Sequence, residues 1–147
     1  MPELQDNEPQ VGEEKARVLL VEDDKALRRY LEVTLSRAGY KVLAAGDGLE
    51  AMKLALSSPV DLVITDAMMP NLSGHELCRF LRNSPQLSHI PIVLLSGMET
   101  KDAGSDAGLA DAFLAKPVAA EKLTECVADL LRKSHVSGLK SQDPSQV

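Results

Sequence analysis

Residues 61–70 read Asp-Leu-Val-Ile-Thr-Asp-Ala-Met-Met-Pro, in which an apolar run, Leu62-Val63-Ile64, leads to an acid at Asp66. Short unbroken runs rich in β-branched residues suit strands buried on both faces, as in a parallel sheet covered by helices. The pattern recurs at Val18-Leu19-Leu20-Val21, Val42-Leu43-Ala44-Ala45, Ile92-Val93-Leu94-Leu95 and Phe113-Leu114-Ala115. Between these runs the apolar residues take helical spacing: Leu27, Leu31 and Leu35; Met52, Leu54, Ala55 and Leu56; Leu77, Phe80 and Leu81. Each set is predicted to turn one stripe inward. A last helix is predicted over about residues 119–132, with Leu123, Val127, Leu130 and Leu131 facing the core. Asp47-x-x-Glu50 and Ser73-x-x-Glu76 have the form of capping boxes and mark two helix starts. Five β–α repeats predict an α/β fold, a doubly wound parallel sheet with helices on both faces.

The 147 residues fit one domain. Its folded part is predicted at 17–133, between an N-terminal tail, 1–16, and a polar C-terminal tail, 134–147, both with little to bury. With no Trp, two Tyr and two Phe, aliphatic packing carries the core. The formal net charge of −6 repels polyphosphate and anionic lipid, so neither nucleic acid nor a membrane surface is an expected partner. Cys78 and Cys126 lie far apart and offer neither a metal-ligand spacing nor a disulfide framework. His75, His89 and His135 share no ligand spacing either. No apolar run approaches the roughly 20 residues of a membrane span, and residues 1–15 lack a signal-peptide core. A cytoplasmic location is expected.

Functional side chains of a doubly wound sheet gather at the carboxyl ends of the strands. Here those ends carry Glu22-Asp23-Asp24, then Asp66, then Ser96, then Lys116-Pro117. Two carboxylates about 5 Å apart repel by roughly 3 kcal/mol at an effective dielectric of 20, so such a cluster asks for a cation. Oxygen ligands with open water positions favour Mg²⁺. An ion on Asp23 and Asp66 leaves one Asp66 oxygen free to attack phosphorus, with Lys116 opposite the developing charge and the Ser96 hydroxyl donating to a phosphoryl oxygen. Plainer readings exist for each residue: Asp66 as a turn acid, Asp24 as a helix N-cap, Ser96 and Lys116 as surface residues, Phe113 as core.

Val21-Glu22-Asp23-Asp24, the 61–70 stretch, Leu95-Ser96-Gly97 and Lys116-Pro117 together resemble the four signatures of response-regulator receiver domains. The resemblance covers about residues 17–133 and implies the flavodoxin-like strand order 2-1-3-4-5. It also implies Mg²⁺ dependence and transfer to Asp66 from the phosphohistidine of a sensor histidine kinase or a histidine phosphotransfer protein. By the same match Asp23 is a metal ligand, Glu22 acts on the metal through water, Met68 offers its backbone carbonyl, and Phe113 takes the switch-aromatic position. A cis Lys116–Pro117 peptide is implied as well. The chain is then no enzyme in the ordinary sense but a phosphoacceptor that assists its own phosphorylation and dephosphorylation. From Met1 to a polar end with no output domain, it reads as a stand-alone receiver that signals to a downstream effector protein. Gly97, Gly104 and Gly108 predict a short or mobile helix between Ser96 and Lys116. The rival readings are a haloacid-dehalogenase-like phosphatase, which needs an acid where Met68 stands, and a degenerate receiver that only docks.

Overall fold

Strand β1, Arg17–Val21, is the first element of a computed structural model that describes residues 15–69, 71–97 and 109–142, with side chains to residue 134. Helix α1 follows at Lys25–Arg37, then β2 at Lys41–Ala45, α2 at Gly48–Ser57, β3 at Leu62–Asp66 and α3 at Gly74–Asn83. Strand β4 is Ile92–Ser96, β5 is Ala112–Ala115, and a C-terminal helix, α4, spans Ala120–Gln142. All pairings are parallel and the order is β2-β1-β3-β4-β5, the order implied by the sequence resemblance. The stretch between Ser96 and Lys116 predicted as a short helix lies, at 98–108, outside the described residues.

Side chains alternate across each strand, so the runs split between two cores. Leu19, Val21, Val63, Ile92 and Leu94 pack with Ala51, Ala55, Leu77, Cys78 and Leu81 from α2 and α3. Val18, Leu20, Leu62, Ile64, Val93 and Leu95 pack with Leu31 and Leu35 of α1 and Leu123 and Val127 of α4. Strands β3 and β4 are buried throughout and β1 nearly so. The expectation of two-sided burial fails at the edges: β2 is only partly covered, and β5 alternates half-buried and exposed residues. Phe113 is 43% exposed, against its reading as core. Of the stripe predicted for α2, Met52, Leu54 and Ala55 pack on the core, but Leu56 is 62% exposed and Ala51 faces the sheet in its stead. Two small residues one turn apart let α2 lie close to β1 and β2.

Capping settles three helix starts. Asp24 Oδ1 accepts from the Ala26 and Leu27 backbone N–H groups at 2.9 and 3.2 Å, so Asp24 is the α1 N-cap. Ser73 and Glu76 form the full reciprocal box. Asp47 caps the Glu50 N–H, but the Glu50 carboxylate reaches back to the Gly46 N–H at 2.8 Å, one residue beyond the box predicted. Helix α4 runs ten residues past the predicted end at 132, since no proline intervenes before Pro144.

Candidate functional site

The carboxyl ends of β1, β3, β4 and β5 supply the site. Past the last β1 residue, the Glu22 N–H still donates to the Ala45 carbonyl at 3.1 Å, which holds Glu22 in the plane of the sheet with 1% of its surface exposed. Its carboxylate turns back on the loop, Oε2 accepting from the Asp24 N–H at 3.0 Å. Asp23, next in the chain, is exposed. On β3, Asp66 pairs with Leu95 in register and is 5% exposed; Oδ1 accepts from the Met68 N–H at 3.2 Å. Carboxylate oxygens of Glu22, Asp23 and Asp66 all lie within 4.8 Å of one another.

Lys116 enters this group from the end of β5. Its N–H donates to the Ser96 carbonyl at 2.9 Å, and the Lys116–Pro117 peptide is cis, as the resemblance implies. The ammonium Nζ donates to Asp66 Oδ2 at 2.9 Å and stands 3.5 Å from Glu22 Oε1. At that second distance there is attraction but no hydrogen bond, so Glu22 Oε1 is a buried acceptor without a partner. Burial drives the Glu22 carboxyl from its ordinary 4.5 to about 7; the Asp24 N–H and the Lys116 charge oppose this, and the Asp66 charge adds to it. Burial by itself would lower the Lys116 pKa, yet its hydrogen bond to Asp66 and the charges of Asp66 and Glu22 outweigh that and raise it. The ammonium is therefore fixed in its charged form, while burial favours the protonated form of Glu22.

The remaining predicted residues stand at different distances from this centre. Ser96 ends β4 and is buried, 5% exposed, beside the strand that bears Asp66. The Met68 side chain is 58% exposed, and its described contact with the site is the N–H donated to Asp66. Phe113 lies on β5 opposite Leu94, outside the acid group. Asp24 caps α1 and is not among the acids that converge. Among the described residues no histidine or cysteine joins the acids.

Two residues that the sequence gives no reason to single out shape the site. The Gly74 N–H donates to the Ala67 carbonyl at 3.0 Å, and a Cβ on Gly74 would meet the Asp66 carbonyl oxygen at 2.2 Å. Helix α3 therefore starts hard against the Asp66 backbone, at a distance open only to glycine. Arg28, from the second turn of α1, donates from Nη1 to the Glu22 carbonyl at 2.7 Å. A basic residue four after a capping acid is too common a pattern to announce this contact.

The geometry has close counterparts in known proteins. Residues 18–128 match the family described as the response regulator receiver domain. The response regulator MprA of Mycobacterium sp. (strain KMS) is 42% identical over 121 residues, 80% of this chain and 51% of MprA. The chain thus spans about half the length of the curated relatives it matches. Among solved structures, a putative response regulator of Chloroflexus aurantiacus superposes with a TM-score of 0.76 at 33% identity, covering 81% of this chain and 99% of its own. The response regulator TrrA of Thermotoga maritima, solved with Mg²⁺ and BeF, gives a TM-score of 0.72 at 31% identity over 78% of this chain and 98% of TrrA. Because the match runs from β1 through the whole sheet into α4, the chain belongs to the response regulator receiver domain family of two-component systems.

Proposed function

We propose that the chain accepts a phosphoryl group on Asp66 from a phosphohistidine, in the presence of Mg²⁺, and passes the signal to an effector protein. One observation carries this reading: Asp66, nearly buried at a central strand end, has an ammonium at 2.9 Å and two further carboxylates within 4.8 Å. The residues fit a divalent cation. Three carboxylates converge, that of Glu22 keeping a buried Oε1 without a hydrogen-bond partner, and oxygen-only sets suit Mg²⁺. Asp23 and Asp66 would hold it, with Glu22 behind them and the Met68 carbonyl as a further oxygen. Once bound, the ion would neutralise charge on the acids and on the transferring phosphoryl oxygens.

In the transfer, an Asp66 carboxylate oxygen attacks phosphorus, the new O–P bond forms as the P–N bond breaks, and the imidazole nitrogen leaves with that electron pair. Lys116 is already charged and in place, so no reorganisation is needed to meet the growing negative charge. Ser96, at the end of the neighbouring strand, donates its hydroxyl to a phosphoryl oxygen, and Phe113 responds on the adjoining edge strand. Moving such a two-state element from 1:99 to 99:1 takes about 5.5 kcal/mol, within reach of a charge-assisted hydrogen bond combined with an ion pair. The donor is a sensor histidine kinase or a histidine phosphotransfer protein. Against a phosphatase of the haloacid dehalogenase type stands Met68, where that chemistry needs a second acid.

Incubation with Mg²⁺ and acetyl phosphate, read by intact mass, tests the reading. One phosphoryl adduct is expected on the wild type and none on Asp66→Asn. A wild type that stays unmodified, or an Asp66→Asn variant modified equally, overturns it.

A further inference from the structure

We propose that Arg28 is a positioning residue for the divalent-cation site, acting through the backbone of Glu22; this rests on the reading of Glu22, Asp23 and Asp66 as that site. Strand β2 ends at Ala45, while β1 extends one residue further through the Glu22 N–H bond to the Ala45 carbonyl. Beyond that point a side chain takes over from the sheet, and the Arg28 guanidinium donates to the Glu22 carbonyl at 2.7 Å. A charge-assisted bond of this length to a part-buried carbonyl fixes the plane of the Glu22–Asp23 peptide. That plane sets where the exposed Asp23 carboxylate starts, and nothing else described holds this carbonyl.

The surroundings are built for the contact. Arg28 is anchored at its root, its own N–H donating to the Asp24 carbonyl at 2.9 Å in the turn that Asp24 caps. Gly46 leaves its path open: a Cβ there would lie 3.3 Å from Arg28 Nη1 and 4.0 Å from the guanidinium carbon. The Gly46 N–H is in turn held by Glu50, so the floor under the guanidinium is fixed. Asp23 and Asp24 thus hang on a loop tied at both sides of Glu22, once by the sheet and once by Arg28.

Two opposed roles for a cationic side chain here predict opposite signs. If Arg28 served only as a positive charge beside the acids, its removal would tighten Mg²⁺ binding; if it positions Asp23, removal loosens it. The measurement is Mg²⁺ affinity by calorimetry on the unphosphorylated chain, for wild type, Arg28→Met and Arg28→Lys, each first shown to unfold cooperatively in EDTA. Arg28→Met keeps the aliphatic stem and loses the donor, so Mg²⁺ affinity should fall roughly tenfold, as for other residues that orient a metal ligand. Arg28→Lys retains a donor and should recover most of the loss. Gly46→Ala, which leaves Arg28 in place but crowds its path, should weaken binding in the same direction. Equal or tighter binding by Arg28→Met, with a wild type that does bind, overturns the role of Arg28 alone. A wild type that binds no Mg²⁺ overturns the site reading beneath it.

Discussion

Replacing Gly74 by alanine places one methyl group where the fold has no room for it. The added Cβ would lie 2.2 Å from the Asp66 carbonyl oxygen, 2.9 Å from Ala67 Cα and 3.0 Å from the Asp66 carbonyl carbon. Non-bonded heavy atoms settle near about 3.5 Å, so α3 and the β3 end must part by about 1 Å. All three obstructing atoms are backbone, and Asp66 is held in the sheet on the far side, so no side chain can swing clear. Overpacking of this kind costs about 1–3 kcal/mol, and the better helix propensity of alanine offsets at most about 1 kcal/mol of that. A net loss of about 1–2 kcal/mol is expected in urea denaturation. The functional effect should be larger, since a shift of about 1 Å at a reacting group can slow a reaction about a hundredfold. Gly39→Ala is the control. Gly39 has φ +100 and open space around it, so alanine there strains the backbone by about 1–2 kcal/mol far from the site. Both variants should lose comparable stability, while acetyl phosphate labelling slows only in Gly74→Ala. If Gly74→Ala is labelled at the wild-type rate, the close approach of α3 does not position Asp66 and the reasoning fails.

In metal-free buffer, Glu22 keeps its proton to about pH 7 when folded and loses it near 4.5 when unfolded. The folded state then binds more protons between these values, so stability present below pH 4.5 is lost as pH rises to about 7; in EDTA, urea midpoints should fall across that window, and Glu22→Gln should flatten the profile. Asp23→Ala should abolish Mg²⁺-dependent labelling while leaving the fold as firm or firmer, because carboxylate repulsion is relieved; unchanged Mg²⁺ affinity would contradict this. Met68 exposes a thioether beside Asp66, a poor group for orienting a hydrolytic water, so Met68→Asn should shorten the phosphoryl lifetime roughly tenfold, and equal decay would refute the idea. Met98, two residues after Ser96, is expected from the sequence to be as poor a holder of that water, and it lies outside the described residues.

The acids and the lysine were legible in the sequence because each follows an apolar run, and in a parallel sheet a run's end is a fixed place. Burial of the central strands was legible for the same reason. The edges were not: Phe113 sits in a run like the others, and its exposure depends on β5 having a neighbour on one side only. Leu56 and Ala51 exchanged roles because apolar spacing within α2 admits two stripes, and contact distance to the sheet chooses the one lined by small residues. Gly74 and Arg28 act through backbone atoms of residues 8 and 6 positions away, and no side-chain pattern encodes such contacts. Asp24 was readable as either cap or ligand until its carboxylate was seen on the Ala26 and Leu27 N–H groups.

Glu22 is where the fold accepts a local loss of stability. Elsewhere at the site each acid has compensation: Asp66 has Lys116 and an N–H, and Asp23 has water. Glu22 has a backbone N–H on one oxygen, while the second has no hydrogen bond and only the Lys116 ammonium at 3.5 Å, with 1% of the residue exposed. Holding that carboxylate ionised works against folding, because burial and the Asp66 charge favour its protonated form. A ligand that binds only the folded state at a hundred times its Kd returns about 2.7 kcal/mol. A cation on the proposed site would offset that cost, which is the part the proposal gives to this buried acid. A nonpolar residue in place of Glu22 would firm the fold, but it would remove the negative potential that draws a divalent ion to Asp23 and Asp66. The Glu22 oxygen that lacks a hydrogen bond and the convergence of the three acids thus support one and the same proposed cation site.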